Sequence, residues 1–98
     1  MIVEFDGEVF RWDARTDADW YLTSLPVHLG AQIREIPRPQ RGFGSVRVHA
    51  TVGGTTWRTS IFPASDGSYV LPLKRAVLAA ESLGEGSDLH VRLDVLDA

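Results

Sequence analysis

The sequence predicts one mainly β domain, a small barrel of six or seven mostly antiparallel strands with two helices. Three observations support this prediction. Apolar and polar side chains alternate over residues 45–52 and 88–94, as in strands that bury one face. Gly-Gly and Asp-Gly steps separate the apolar runs, as in hairpins. The length of 98 residues fits a single domain, residues 1–98.

The first strand region contains a change of parity. Val3 and Phe5 share one face, whereas Phe10 and Trp12 have the opposite parity. A bulge or a tight turn near Asp6-Gly7 would explain the change. We therefore expect the chain to bulge or turn there.

A short strand and the first helix follow. Residues 20–25 are apolar and β-prone, which predicts a strand. Pro26 fits the first position of a helix, because its missing N–H needs no partner there. Apolar residues at helical spacing carry this helix to residue 36, and Pro37 ends it. Residues 37–44 are predicted to form a loop, since two prolines and two glycines interrupt them.

The second half of the chain is predicted to form a hairpin, a strand, a helix and a final strand. Residues 45–62 form the hairpin, which turns at Gly53-Gly54 and directs Trp57 inward. A strand over residues 68–73 leads into a second helix near residues 74–83, which Gly84 ends. The alternating run over residues 88–94 closes the sheet.

Composition excludes several kinds of site. The chain has no cysteine, so disulfides, thiolate chemistry and cysteine zinc sites are absent. His28, His49 and His90 lack metal-ligand spacing, and we expect neither a metal nor a cofactor. The N-terminus is acidic and no window is apolar enough to span a membrane, which favours a cytoplasmic protein without a membrane partner.

Charge is distributed unevenly along the chain. The net charge is −3, but residues 34–75 hold seven basic residues against two acidic ones. Basic side chains interleaved with aromatic ones can bind nucleic acid by phosphate contact and base stacking. The acidic segments on either side would repel a phosphate backbone, so nucleic-acid binding is an alternative and not the favoured function. Its candidate residues are Arg34, Arg38, Arg41, Arg47 and Arg58.

Lys74 and Arg75 form a second candidate site. Cations in the first turn of a helix oppose its dipole, and free N–H groups beside them would hold an anion. The opposing interpretation is that both side chains extend into water, where screening removes the penalty. An enzyme or binder of a small anionic ligand at this helix start is therefore a further alternative.

The order of short motifs resembles a known family. The motifs are Trp20-Tyr21, Leu25-Pro26, Thr59-Ser60 with Pro63, and the run of residues 69–74. Together they resemble the small prokaryotic family catalogued as domain of unknown function 1905, over nearly the whole chain. The resemblance implies a pseudo-barrel capped by helices, related in architecture to double-split barrels, and it implies no established activity.

The chain departs from that family in the second helix. A Val-Arg step usual in the family is Val77-Leu78 here. Leu78 also lies off the inward stripe of the helix, so we expect it to be exposed or to meet a partner.

No catalytic group is predicted. No serine has the context of a nucleophile elbow, and no nucleophile–base pair is evident. The sequence therefore favours an uncharacterised, non-enzymatic binding or interaction module, with self-association compatible with it. Its ligand or partner is not specified by any motif.

Overall fold

In the part of the chain that the structure describes, seven antiparallel strands form a curled half-barrel accompanied by two helices. The computed structural model describes residues 1–12, 20–35, 44–64 and 66–96. The predicted mainly β fold is confirmed. In chain order the elements are β1 (Ile2–Glu8), β2 (Phe10–Trp12), β3 (Trp20–Ser24), α1 (Val27–Arg34), β4 (Val46–Val52), β5 (Thr55–Pro63), β6 (Tyr69–Leu73), α2 (Arg75–Ala80) and β7 (Asp88–Val95).

The strands follow one another in the order β1-β7-β4-β5-β6-β3-β2. β5 is the longest strand and belongs to both halves of the sheet. It pairs with β4 from Thr55 to Ile61, and then with β6 through Phe62 and Pro63. We call β1, β7, β4 and the first part of β5 the main half-sheet. The end of β5 with β6, β3 and β2 forms the second half-sheet.

The core lies on the inner face of the curled sheet. Alternate residues of β4 and β7 are buried, as their sequence pattern predicts. Trp57 of β5 is also buried, which confirms its predicted inward direction. The helices add Leu29 and Ile33 from α1, and Val77 and Leu78 from α2.

The bulge or tight turn predicted near Asp6-Gly7 is wrong. β1 pairs with β7 residue by residue over the whole of Ile2–Glu8. Val9, which is fully buried, keeps the inward parity of that strand. The chain then enters the second half-sheet, where Phe10 and Trp12 pair with β3 and are exposed. Phe10 and Trp12 therefore have the opposite parity because their side chains lie on the outer face of the sheet. The pairing register of β1 with β7 does not shift.

The expectation that Leu78 is exposed or meets a partner is also wrong. α2 is only six residues long, shorter than predicted, and Leu78 is buried with Val77. After the helix the chain turns back, and the N–H of Leu83 donates to the carbonyl of Leu78 at 2.8 Å. Leu83 and Tyr21 pack partly buried against the core, and they line a depression together with Leu78. α2 therefore buries more of its surface than the apolar stripe in its sequence predicts.

Candidate binding groove

The outer face of the second half-sheet is apolar. Three rows of side chains cross it, since residues opposite each other on paired strands share a face. The rows are Trp12 with Trp20, Phe10 with Leu22 and Pro72, and Ser24 with Val70 and Phe62. These residues, with Asp66 and Ser68 at one end, line a groove of about 670 Å³. We call it the aromatic groove.

Four large aromatic side chains of the groove are open to solvent. Their exposed fractions are 36% for Phe10, 52% for Trp12, 51% for Trp20 and 38% for Phe62. Single exposed apolar residues are common on protein surfaces, but a contiguous group of large aromatic ones is not. The outer face of β2, β3 and the end of β5 is therefore an unusual surface.

Trp12 and Trp20 form one end of the groove. Their ring centres lie 6.0 Å apart and their planes meet at 86°, an edge-to-face arrangement. Such pairs are favoured because the positive edge of one ring meets the negative face of the other. The contact holds β2 against β3 and presents two perpendicular aromatic walls.

The opposite end of the groove carries a negative charge. Asp66 Oδ1 accepts hydrogen bonds from the hydroxyl of Ser68 at 2.6 Å and from its backbone N–H at 3.0 Å. These two bonds, the hydroxyl bond first, hold the pKa of the Asp66 carboxyl below its ordinary value. Asp66 is exposed and therefore ionised at neutral pH.

The sequence contained a signal for this surface. Residues 20–22 and 69–73 are apolar at consecutive positions, so these strands are apolar on both faces. Consecutive apolar residues are typical of strands that are covered on both sides. In the second half-sheet only the inner face is covered by the core, and Trp20 of β3 is half exposed on the outer face.

The arginines predicted to bind nucleic acid do not lie in this groove. Arg34 ends α1, donates to the carbonyl oxygen of Gly67, and lies over the ring of Tyr69 at 5.6 Å from its centre. Arg47 and Arg58 lie on adjacent strands, on the outer face of the main half-sheet. The remaining two, Arg38 and Arg41, lie outside the described residues. Of the three candidate arginines that the structure describes, Arg47 and Arg58 are diagonal neighbours on paired strands, and Arg34 contacts the turn at Gly67.

Acidic and basic side chains alternate across the outer face of the main half-sheet. Glu4 lies opposite Arg92, and Asp6 lies opposite His90. His49 lies opposite Asp94, so it does not meet His90, although their strands pair. The face that carries Arg58 therefore has mixed charge and does not form a basic patch.

His90 joins two acidic side chains of the edge strand. Its Nε2 lies 2.9 Å from Glu4 Oε1, and its Nδ1 lies 2.8 Å from Asp6 Oδ1. The hydrogen bond with Glu4, followed by the one with Asp6, raises the pKa of His90 above its ordinary value of 6.5. In its doubly protonated form the ring can donate to both carboxylates, and in that form it helps to attach β1 to β7.

We expect the contribution of His90 to stability to depend on pH. Because its pKa is raised by folding, the contribution is fully present below the unfolded pKa and is lost as pH rises through the folded pKa. His90→Gln should therefore lower the urea midpoint at pH 5.5 and leave it nearly unchanged at pH 9. His28→Gln on α1 is the control. An equal loss at both pH values would contradict the expectation.

Lys74 and Arg75, the predicted anion site, are both exposed at the start of α2. Arg75 lies beside Tyr21, and the two line small depressions of about 230 and 200 Å³. α2 has only six residues, so its dipole is small. The anion site stays a prediction.

Within the described ranges, no group of three or more acidic or histidine side chains has an arrangement that could hold a metal ion. None of the helices in those ranges is long and apolar enough to cross a membrane.

A known family matches most of the chain. The model of a family described as Domain of unknown function (DUF1905) matches residues 5–93, which includes every strand and both helices at least in part. No curated protein matches the chain. The matched description carries no activity, so the groove has to be interpreted from its own chemistry.

Proposed function

This chain belongs to the DUF1905 family, and we propose that it is a binding module whose ligand lies in the aromatic groove. The observation that carries the proposal is the cluster of exposed aromatic side chains contributed by β2, β3 and β5. Contiguous apolar surface of this kind marks ligand or partner sites, because leaving it in water is unfavourable.

The size of the surface indicates the strength of binding. With ~200 Å² for a large aromatic side chain, the four exposed fractions amount to roughly 350 Å² of apolar surface. Burying it at ~25 cal/mol per Å² contributes about 9 kcal/mol before the cost of association. That cost is at least ~4 kcal/mol. At most about 5 kcal/mol remains, so a ligand that covers only this surface is expected to bind with a Kd of about 0.2 mM or weaker.

The groove is built on paired strands, which favours binding without rearrangement. Trp12 and Trp20 lie on opposite members of a hairpin, and Phe62 lies where β5 joins β6. Side chains on hydrogen-bonded strands are positioned more precisely than those on loops. The ligand therefore meets a preformed surface, which lowers the ordering cost of binding.

The polar groups at the groove favour binding over catalysis. Ser68 donates its hydroxyl to Asp66, and no histidine lies among the described lining residues. A serine nucleophile needs a base that removes its proton, and a low-pKa carboxylate is a poor one. The groove therefore presents recognition groups without a nucleophile–base pair.

We expect the uncharged fluorescent probe N-phenyl-1-naphthylamine to bind the folded protein saturably at this groove. Trp20→Ala and Phe62→Ala should each weaken its binding roughly tenfold, because buried aromatic side chains dominate such contacts. Val27→Ala is the matched control, since Val27 is an apolar residue exposed elsewhere, on α1. Fluorescence titration below the unfolding temperature measures the affinity. Unchanged affinity in both groove variants would refute the proposal.

The two alternatives have less support from the described residues. Nucleic-acid binding requires a basic surface, whereas Arg58 shares its face with Asp94 and Glu4. An anion site at Lys74 and Arg75 lies at the start of a helix of six residues. Both alternatives stay predictions. Salt-dependent binding of an oligonucleotide would support the first, and bound phosphate at α2 would support the second.

A further inference from the structure

The length of the aromatic groove fits a short extended peptide. Along β3, Trp20 and Ser24 mark the first and third rows, four residues or ~13 Å apart. A polyproline II helix advances ~3.1 Å per residue, so about four of its residues span this distance. Asp66 lies beyond the third row, where the next residue of such a peptide would lie.

The lining also fits this backbone conformation. Proline-rich segments dock in grooves lined by aromatic side chains, because pyrrolidine rings stack on flat aromatic faces. The perpendicular indoles of Trp12 and Trp20 provide such faces at one end, and Phe10 and Phe62 continue them along the groove. Tryptophan also brings an N–H donor, and a polyproline II segment has no internal hydrogen bonds, so its carbonyls are free to accept.

The charge of the groove indicates the polar part of the ligand. Among the described lining residues, only Asp66 carries a charge, and its carboxylate lies at one end of the groove. A lysine or arginine of the ligand would be attracted there, whereas a phosphate would be repelled. Charge complementarity therefore favours a basic peptide over a nucleic acid.

Other occupants fit the dimensions less well. A standard protein interface buries ~800 Å² on each partner, more than twice the roughly 350 Å² of exposed aromatic surface. A second copy of this chain would therefore need additional contacts. A drug-sized molecule is usually covered over 70–90% or more of its surface. The groove is open on one side, since Trp12 and Trp20 are about half exposed.

We propose that the ligand of the aromatic groove is a proline-rich peptide segment in the polyproline II conformation, with a lysine or arginine beside Asp66. This inference rests on the proposed function, because it names the ligand of the same groove. Trp12 and Trp20 stack on the prolines at one end, and Phe62 contacts the segment toward the other. A preformed polyproline II helix loses little entropy on binding, which suits a surface of limited area.

The test uses the full chain and a fluorescein-labelled peptide of nine prolines and one terminal arginine. Fluorescence anisotropy measures its affinity. Trp20→Ala and Phe62→Ala should each weaken binding about tenfold. Asp66→Asn keeps the oxygen that accepts from Ser68, and should weaken binding about threefold to tenfold. It should not affect a peptide that ends in glycine instead of arginine. Val27→Ala is again the control, and circular dichroism checks that each variant is folded.

Several results would overturn this inference. A peptide with glycine at every second position should bind at least tenfold more weakly, and equal binding would exclude polyproline II recognition. Equal binding of a peptide ending in glutamate would exclude the role of Asp66. If the proline peptide fails while the naphthalene probe still binds at the groove, the proposed function survives and this ligand does not. If the naphthalene probe also fails to bind at the groove, both the proposed function and this ligand assignment are wrong. A dimer in sedimentation that Trp20→Ala dissociates would instead assign the groove to a second copy.

Discussion

Leu93→Ala is expected to lower the free energy of unfolding by about 3–5 kcal/mol. Leu93 is fully buried on β7, where it lies opposite Val3 on one side and Ala50 on the other. The truncation removes apolar contacts and leaves a cavity between strands that are themselves tightly packed. A domain of this size is stable by about 5–15 kcal/mol, so the variant should lose about a fifth or more of its stability.

Urea denaturation measures the loss, and the neighbouring residue supplies the control. Arg92 lies on the outer face of the same strand, where it is exposed. Arg92→Ala should change the free energy of unfolding by less than about 1 kcal/mol, because substitutions of exposed residues away from the core usually change stability little. Similar losses in the two variants would contradict the inward and outward alternation of β7.

Gly7→Ala is expected to lower the free energy of unfolding by about 1–3 kcal/mol. An added Cβ at Gly7 would lie 2.5 Å from Thr23 Oγ1, well inside van der Waals contact. Thr23 is fully buried and β-branched, so its side chain has little freedom to move away. Urea denaturation of the single variant measures this loss.

A second substitution separates this clash from other effects of Gly7→Ala. Thr23 Oγ1 has no hydrogen-bond partner among the described residues, so Thr23→Ala removes a buried hydroxyl whose burial is itself unfavourable. Alone it should be nearly neutral, since this gain offsets the lost packing. The double variant should recover at least ~1 kcal/mol of the Gly7→Ala loss. Simple additivity of the two changes would show that the contact between β1 and β3 is not the cause.

The alternation of apolar and polar residues alone predicts well which side chains of the main half-sheet face the core. β4 and β7 bury every second side chain, and Gly53-Gly54 turns the hairpin as predicted. These features are local, because a strand with one covered face shows its orientation in its own sequence. The second half-sheet is harder to predict because β3 and β6 carry apolar residues on both faces. Their sequence does not distinguish a face that packs on the core from one that faces solvent.

For the same reason, the consecutive apolar residues of β3 and β6 could not by themselves predict the groove. The opposite parity of Phe10 and Trp12 was attributed to a bulge or tight turn, whereas it places their side chains on the outer face, at the groove. Arg34 gives a second example. Its basic charge predicts an electrostatic role, but its guanidinium lies over Tyr69 and donates to the carbonyl of Gly67, far along the chain. Charge counted along the sequence does not reveal such contacts.

The three tryptophans occupy two different environments, which makes the chain its own optical reporter. Trp12 and Trp20 face the solvent, whereas Trp57 is enclosed by the core. A soluble quencher should therefore reach the first two and spare the third. Shielding of the accessible indoles would report groove occupancy, and the enclosed one would report denaturation, so both events can be followed in one unlabelled sample.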